Sequence, residues 1–139
     1  YPYEGIEEAL RELSGMGIRL AVFSNKIHER TVDICRNLLP DIEFDYVLGA
    51  RDGQPLKPDP AMALHICRTL GVSPSETLFI GDSDVDVQTA HNAEIRCIGC
   101  SWGYRDRAVL EQAGADAIIE RPDQLVPCIK KLGGFDDGV

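Results

Sequence analysis

The sequence lacks any apolar stretch close to the roughly 20 residues that cross a bilayer, and it lacks an excess of basic residues. Its 14 Lys and Arg residues face 23 Asp and Glu residues, which gives a formal net charge of −9. Because this charge repels polyanions, we expect neither nucleic acid nor an anionic membrane surface as a partner. Tyr1-Pro2-Tyr3-Glu4 also lacks the basic and then apolar pattern of a secretory signal. These absences predict a cytoplasmic protein.

A disulfide framework and a zinc site are also missing from the sequence. Because the five cysteines are an odd number scattered through apolar stretches, we expect small buried residues without disulfides. Cys97 and Cys100 have the Cys-x-x-Cys spacing, but no second pair completes a zinc site. They also fall within one strand-like run, where positions three apart face opposite sides. We therefore predict that both belong to the core.

Common nucleotide-binding and hydrolase motifs are absent as well. There is no Gly-x-Gly-x-x-Gly, no Walker A sequence and no Gly-x-Ser-x-Gly elbow. His28, His65 and His91 fall in predicted helices without a partner at metal-ligand spacing. We expect all three histidines to be structural or exposed.

What the sequence does contain is a regular alternation of helical and strand patterns. Amphipathic or capped helical patterns cover residues 4–15, 28–39, 58–71, 84–93, 106–114 and 122–132. Short apolar runs typical of buried parallel strands cover residues 18–23, 46–49, 77–80, 96–100 and 117–119. This order predicts an α/β fold in three layers, a Rossmann-like parallel sheet with helices on both faces. We assign residues 1–132 to one core and residues 133–139 to a polar, glycine-rich, flexible tail.

Polar residues follow the predicted strands, at the edge of a parallel sheet where ligands bind. Asp82 follows one strand and Asp86 lies four residues further, so both carboxylates can face one hard cation such as Mg²⁺. The alternative is that acidic residues simply favour the start of a helix. Three carboxylates between residues 82 and 86 would repel one another without a positive partner. That repulsion favours a metal site.

Two further segments could bind phosphate at the same edge. Ser24 and Asn25 follow a buried strand and offer a hydroxyl, an amide and backbone N–H groups. Alone, this pair is also ordinary helix-capping chemistry. Lys57 lies between Pro55 and Pro58, which restrict the backbone and so the direction of the ammonium group. A lysine beside a cation-bound phosphate would offset its charge, although a lone lysine is usually a solvated surface charge.

The ordered set of Ser24-Asn25, Lys57 in Lys-Pro-x-Pro, and Gly81-Asp82-x-x-x-Asp86 resembles motifs two to four of the haloacid dehalogenase superfamily. The resemblance covers nearly the whole chain, and Tyr1-Pro2-Tyr3-Glu4-Gly5-Ile6, Phe23-Ser24-Asn25-Lys26 and Ser101-Trp102-Gly103-Tyr104 look like its phosphoglycolate phosphatase branch. It implies Mg²⁺-dependent hydrolysis of a small phosphate monoester through an aspartyl-phosphate. Ser24, Asn25 and Lys57 would bind the phosphate, Lys57 and Asp82 would be catalytic, and Asp82 and Asp86 would bind the metal.

The sequence departs from the family pattern in two places. Glu94 stands where the family usually has glycine, so we expect the helix before it to be capped differently, by Asn92. The family's first motif, Asp-x-Asp-Gly-Thr, which supplies the nucleophile, is absent. In the family this motif ends a central strand between the strands that precede Ser24 and Asp82, and a helical cap follows it. Direct pairing of those two strands would contradict a missing central strand.

We therefore expect this chain to be the C-terminal part of a longer phosphatase, inactive alone, whose partners are a small phosphorylated metabolite and the missing N-terminal segment. Phosphoglycolate is the first candidate substrate, followed by pyrophosphate or a sugar phosphate. Two alternatives remain: a catalytically inactive interaction domain, and a receiver-like phosphate-binding module. A receiver would place its lysine late in the chain, whereas Lys57 precedes the acidic cluster here.

Overall fold

The computed structural model describes residues 5–38, 42, 44–50, 53–102 and 106–133, without the side chains of residues 25–27, 34, 37–38 and 133. The helices are α1 (Ile6–Gly15), α2 (His28–Leu38), α3 (Ala61–Leu70), α4 (Asp84–Asn92), α5 (Arg107–Ala113) and α6 (Leu125–Gly133). The strands are β1 (Ala21–Ile27), β2 (Tyr46–Ala50), β3 (Leu78–Gly81), β4 (Arg96–Cys100) and β5 (Ala117–Ile119). Turns of 3₁₀ helix cover Pro74–Glu76 and Pro122–Gln124. The alternating order of helices and strands that the sequence predicts is confirmed.

All strand pairs in the described part of the chain are parallel. β1 pairs with β2, and β3, β4 and β5 pair in that order. Parallel neighbours require a crossover, which α2 supplies between β1 and β2, α4 between β3 and β4, and α5 between β4 and β5. The carboxyl ends of these strands therefore point in one direction within each sheet.

Side chains of β4 alternate between two buried clusters. Cys97 packs with residues of α3, α4 and α5, whereas Ile98 and Cys100 pack with residues of α1 and α6. Helices thus cover both faces of the sheet, which confirms the three-layer α/β fold. The two cysteines lie in opposite clusters, as expected of core residues, and burial with nearby carboxylates raises the pKa of each thiol to about 12.

β1 begins later than the sequence predicts and continues through Ser24 and Asn25. Its start is displaced because Leu20 bonds to Asp45 on both sides: its N–H donates to the carboxylate and its carbonyl accepts from the Asp45 N–H. Pairing with β2 then runs to Phe23, and the register shifts before it resumes at Ile27. The expectation that Ser24 and Asn25 follow the strand is therefore wrong, since they lie in its irregular section.

The two sheets meet where β1 faces β3. No backbone pairing joins these two strands within the residues described. The rings of Phe23 and Phe79 instead make an edge-to-face contact, with centroids 6.4 Å apart. Ile80, in the middle of β3, is 38% exposed. The direct pairing that would have contradicted a missing central strand is therefore not present.

The end of α4 differs from the expected Asn92 cap. The N–H groups of Glu94 and Ile95 donate to the carbonyls of His91 and Ala90, which is the backbone pattern of a Schellman motif. Glu94 has a φ of 62°, so it adopts the left-handed conformation usually taken by glycine. The Asn92 side chain donates elsewhere, to the carbonyl of Pro58. Backbone bonds therefore close this helix.

The end of the chain also differs in detail from the prediction. The helix expected over 122–132 begins as a 3₁₀ turn, and α6 then extends to Gly133. The flexible tail predicted for 133–139 otherwise falls outside the described residues. Across the described chain, no helix is both long enough and apolar enough to span a membrane.

Candidate active site

The structure brings Lys57 and the predicted acidic residues together at the carboxyl end of β3. Asp82 follows β3 directly, Asp86 lies in the first turn of α4, and Lys57 lies in the loop before α3. The Lys57 ammonium donates to Asp86 Oδ1 at 2.7 Å, and the two side chains are 13% and 9% exposed. A nearly buried charged group needs such a partner, because it is shielded from water. Lys57 is thus an ordered part of the site.

The start of α4 fixes the second oxygen of Asp86. Asp86 Oδ2 accepts a hydrogen bond from the Asp82 backbone N–H at 3.0 Å and another from the Ser83 hydroxyl at 3.1 Å. Ser83 is the N-cap residue, and its Oγ accepts from the Asp86 backbone N–H at 3.2 Å. This reciprocal bonding orients the carboxylate before any ligand binds. We did not predict Ser83 as a site residue, although a serine between a strand and a helix signals an N-cap.

Gly81 provides the space in which Asp86 lies. A Cβ atom at Gly81 would be 2.3 Å from Asp86 Cβ and 2.6 Å from Asp86 Oδ2. Contacts this short do not occur between real side chains. The glycine at the end of β3 is therefore required by the close packing of the first turn of α4 against the strand.

Two aromatic rings border the Lys57 ammonium. Its nitrogen lies 5.5 Å from the centroid of the Phe23 ring and 6.0 Å from that of Phe79. Both distances are within the range of cation–π attraction. Because Phe23 belongs to β1 and Phe79 to β3, the ammonium lies where the two sheets meet. We did not predict these phenylalanines as site residues, because the sequence pattern of apolar strand residues does not distinguish this role from core packing.

Ser24 and Asn25, the predicted phosphate-binding pair, belong to β1, the strand that also carries Phe23. Ser24 is half-buried in β1 and directly follows Phe23, whose ring borders Lys57. The backbone of Asn25 belongs to the same strand, while its side chain lies outside the description. Phosphate binding by Ser24 and Asn25 stays a prediction.

The charges of Asp82 and Asp86 also act on Cys100, the last residue of β4. Burial is the main cause that raises the pKa of Cys100, and the charges of Asp82 and Asp86 raise it further. In the described part of the chain, no group of three His, Cys, Asp or Glu residues is arranged to hold a metal ion. Any cation here would therefore complete its shell with water, ligand oxygens or groups outside the described residues.

The three histidines make structural contacts, as expected. His28 Nδ1 accepts a hydrogen bond from the Gly49 N–H at 3.0 Å. His65 Nε2 lies 3.1 Å from the Tyr46 hydroxyl, and His91 Nε2 lies 2.9 Å from Asp116 Oδ2. These contacts link helices to neighbouring strands or turns.

Comparisons with known proteins agree with the order of the motifs. The sequence profile described as haloacid dehalogenase-like hydrolase matches residues 1–100. A phosphoglycolate phosphatase of Pseudomonas putida is 30% identical over 125 residues, which cover 90% of this chain and 46% of that protein. The chain thus spans about half the length of the curated relatives it matches.

Solved structures share the same fold. A Lactobacillus delbrueckii subsp. bulgaricus crystal structure has a TM-score of 0.86 and 36% identity, and the match covers 92% of this chain and 53% of that one. A predicted phosphoglycolate phosphatase of Haemophilus somnus has a TM-score of 0.83 and 28% identity, covering 91% and 56%. The resemblance to the phosphoglycolate phosphatase branch is therefore confirmed. The chain belongs to the haloacid dehalogenase-like hydrolase family.

Proposed function

We propose that this chain carries the phosphate-binding and cation-binding side of the active site of a Mg²⁺-dependent phosphatase. The observation that carries the proposal is the Lys57–Asp86 pair, held beside Asp82 at the carboxyl end of a parallel strand. It combines a fixed cation with two carboxylates at the edge where α/β proteins bind ligands. Phosphoryl transfer depends on this kind of positioning and charge stabilisation.

The oxygen atoms of Asp82 and Asp86 fit Mg²⁺. Magnesium prefers oxygen ligands, retains several waters and is commonly held by one or two carboxylates together with substrate phosphate. A carboxylate offers about four lone-pair sites. Asp86 uses three of these sites to accept hydrogen bonds from Lys57, the Asp82 N–H and the Ser83 hydroxyl, which leaves about one for a cation. When bound, Mg²⁺ would offset negative charge on the phosphate oxygens.

The residues of this chain divide the remaining work. Lys57 would place a positive charge against the phosphate while Asp86 and the rings of Phe23 and Phe79 hold its ammonium in place. Ser24 and Asn25 would donate hydrogen bonds to the phosphate oxygens from the irregular section of β1. Asp82 would bind the cation and so position the phosphate for attack.

The nucleophile would come from a segment outside this sequence. The motif Asp-x-Asp-Gly-Thr does not occur among the 139 residues. Within the described residues, β1 pairs only with β2 and β3 only with β4, so each strand has an edge at which a further strand could pair. We therefore propose that a strand carrying the nucleophile inserts there and that the complete protein forms the aspartyl-phosphate. The shorter span of this chain relative to its relatives supports this proposal.

A small phosphate monoester of the phosphoglycolate type is the proposed substrate class. Support comes from two of the relatives, those of Pseudomonas putida and Thiobacillus denitrificans, which are both phosphoglycolate phosphatases. In capped members of the family the cap contributes to substrate choice. The residues of this chain therefore support binding of the phosphate group and do not identify the rest of the substrate.

An activity assay tests the proposal. We expect no hydrolysis of phosphoglycolate or p-nitrophenyl phosphate by the 139-residue chain with Mg²⁺. A chimera that joins the N-terminal part of the Pseudomonas putida relative to this chain should hydrolyse phosphoglycolate. In that chimera, Lys57→Met should lower kcat/KM by about a hundredfold or more, as loss of one charge-stabilising group typically does.

The control variant is Gln88→Ala in the same chimera, because Gln88 is an exposed residue of α4. It should leave kcat/KM unchanged. Equal activity of the Lys57→Met chimera and its parent would contradict the proposed role of this site. Hydrolysis by the chain alone would contradict the requirement for an added strand.

A further inference from the structure

Both ends of helix α4 contact the Lys57 loop, which is the segment 53–60 before α3. In its first turn, Asp86 accepts a hydrogen bond from the Lys57 ammonium at 2.7 Å. At its last residue, Asn92 Nδ2 donates to the carbonyl oxygen of Pro58 at 3.0 Å. Pro58 follows Lys57 directly, through a cis peptide bond. One helix therefore binds the side chain of Lys57 and also the backbone beside it.

A helix holds its two ends at a nearly constant separation. Asp86 and Asn92 are six residues apart on α4, which corresponds to a rise of about 9 Å along the axis. We propose that Asn92 is a positioning residue for Lys57: by holding the Pro58 carbonyl, it fixes the backbone from which the ammonium reaches Asp86. The importance of this for catalysis rests on the proposed function, but the positioning itself does not.

The hydrogen bonds around Asn92 argue against a role in helix capping. The carbonyls of Ala90 and His91 already accept from the N–H groups of Ile95 and Glu94, so backbone bonds close the helix. The Asn92 side chain instead reaches a residue 34 positions earlier in the sequence. Its exposure means that a substitution removes this bond without opening a cavity in the core.

The composition of the loop makes the hydrogen bond from Asn92, a donor outside the loop, important for holding its backbone. Pro55, Pro58 and Pro60 have no N–H, so three positions of the loop provide no backbone donor. Two observed bonds are internal to the loop and its junction with α3: the Asp59 N–H donates to the Leu56 carbonyl, and the Asp59 carboxylate accepts from the Ala61 N–H. The Asn92 bond differs from these because it joins the loop to the element that carries Asp86.

The test measures hydrogen exchange of the Lys57 ammonium by NMR in the 139-residue chain. Asn92→Asp keeps the shape of the side chain but removes the donor, and Asn92→Ala removes the donor without adding charge. Both should raise the exchange rate about fivefold, the population change that one hydrogen bond of average strength supports. Asn92→Gln, which retains an amide donor, should restore exchange towards the native rate. Gln88→Ala, at an exposed position of the same helix, should not change it.

A structural role alone would give a different result. If the Asn92 variants lower the melting temperature but leave the Lys57 exchange rate unchanged, the positioning role is refuted. Titration with inorganic phosphate and Mg²⁺ separates this inference from the proposed function. If the native chain binds no phosphate while the Asn92 variants accelerate exchange, the proposed function fails and the positioning role stands. Weaker phosphate binding in Asn92→Asp, with native binding in Gln88→Ala, supports both.

Discussion

At the scale of single residues, the site depends on how little space surrounds Asp86. Its carboxylate has an ammonium, a backbone N–H and a hydroxyl as donors, and its side chain lies against the bare Cα of Gly81. The sequence predicted Asp82, Asp86 and Lys57 because charged groups near strand ends are visible in a pattern. It did not predict the roles of Phe23, Phe79, Ser83 or Asn92, which depend on contacts between residues far apart in the chain.

Replacing Gly81 by alanine should damage the site by displacing Asp86. The new Cβ would lie 2.3 Å from Asp86 Cβ, so the first turn of α4 has to move. We expect a loss of about 1–3 kcal/mol in the free energy of unfolding, the usual cost of overpacking, measured by urea denaturation.

The matched control for this change is Gly15→Ala in α1. A Cβ at Gly15 has no atom within 4 Å, and alanine is a better helix former than glycine. This variant should be as stable as the native chain or more so. A Gly81→Ala protein with native stability and a native Lys57 ammonium signal would show that the packing of Asp86 against the strand is not tight.

At the scale of elements, the sequence predicted which segments are helices and strands better than where each one ends. The bounds of β4 and β5 agree with the prediction, because apolar runs there end at clear breaks in the pattern. The predicted start of β1 at residue 18 was wrong. The Leu20 N–H donates to the Asp45 side chain and not to the backbone of a neighbouring strand. A bond between residues 25 positions apart leaves no local pattern that could reveal it.

The end of α4 predicts a stabilising substitution. Glu94 has a φ of 62° and is exposed, so its side chain strains the backbone without filling space. We expect Glu94→Gly to increase the free energy of unfolding by about 1 kcal/mol, because glycine adopts the left-handed conformation without steric cost. Chemical denaturation measures the change.

Glu94→Ala is the control for this substitution. Alanine removes the carboxylate but retains the Cβ atom that causes the strain, so it should stabilise the protein much less than glycine does. Equal gains from both variants would assign the effect to the charge of Glu94 and would contradict the backbone explanation.

The turn before β5 predicts a pH dependence. Burial raises the pKa of Asp116, but hydrogen bonds from the Cys97 N–H and His91, together with the charges of His91 and Arg96, outweigh it and lower the pKa below its ordinary value of 3.8. A lowered pKa in the folded state means that the ionised carboxylate stabilises the protein above pH 3.8. This contribution disappears as the pH falls through the lower, folded value.

We therefore expect Asp116→Asn to be less stable than the native chain at neutral pH, with a difference that shrinks below about pH 4 as the native carboxylate takes up its proton. Urea denaturation over a pH series measures it. Asp123→Asn is the control, since Asp123 is exposed in the Pro122–Gln124 turn. A difference for Asp116→Asn that stays constant from neutral to acidic pH would contradict the explanation.

At the scale of the whole molecule, the two sheets and the length of the chain both support the proposal that a further strand completes the active site. β1 and β3 face each other without backbone pairing in the described structure, and the chain spans about half of its curated relatives. The fold was predictable from the alternation of helical and strand patterns, and the family from three motifs in a fixed order. The contact of Phe23 with Phe79 at the junction of the sheets was not, because it joins strands far apart in sequence.

The most direct test of the proposed cation and phosphate site is binding of Mg²⁺ and inorganic phosphate to the 139-residue chain, followed by ¹H–¹⁵N NMR. We predict saturable shifts at Asp82, Asp86 and the Lys57 ammonium with Mg²⁺, and at Ser24 and Asn25 when phosphate is added. Asp82→Asn should abolish the Mg²⁺-dependent shifts. Shifts confined to residues away from the carboxyl ends of β1 and β3, or identical titrations of the native and Asp82→Asn chains, would contradict it.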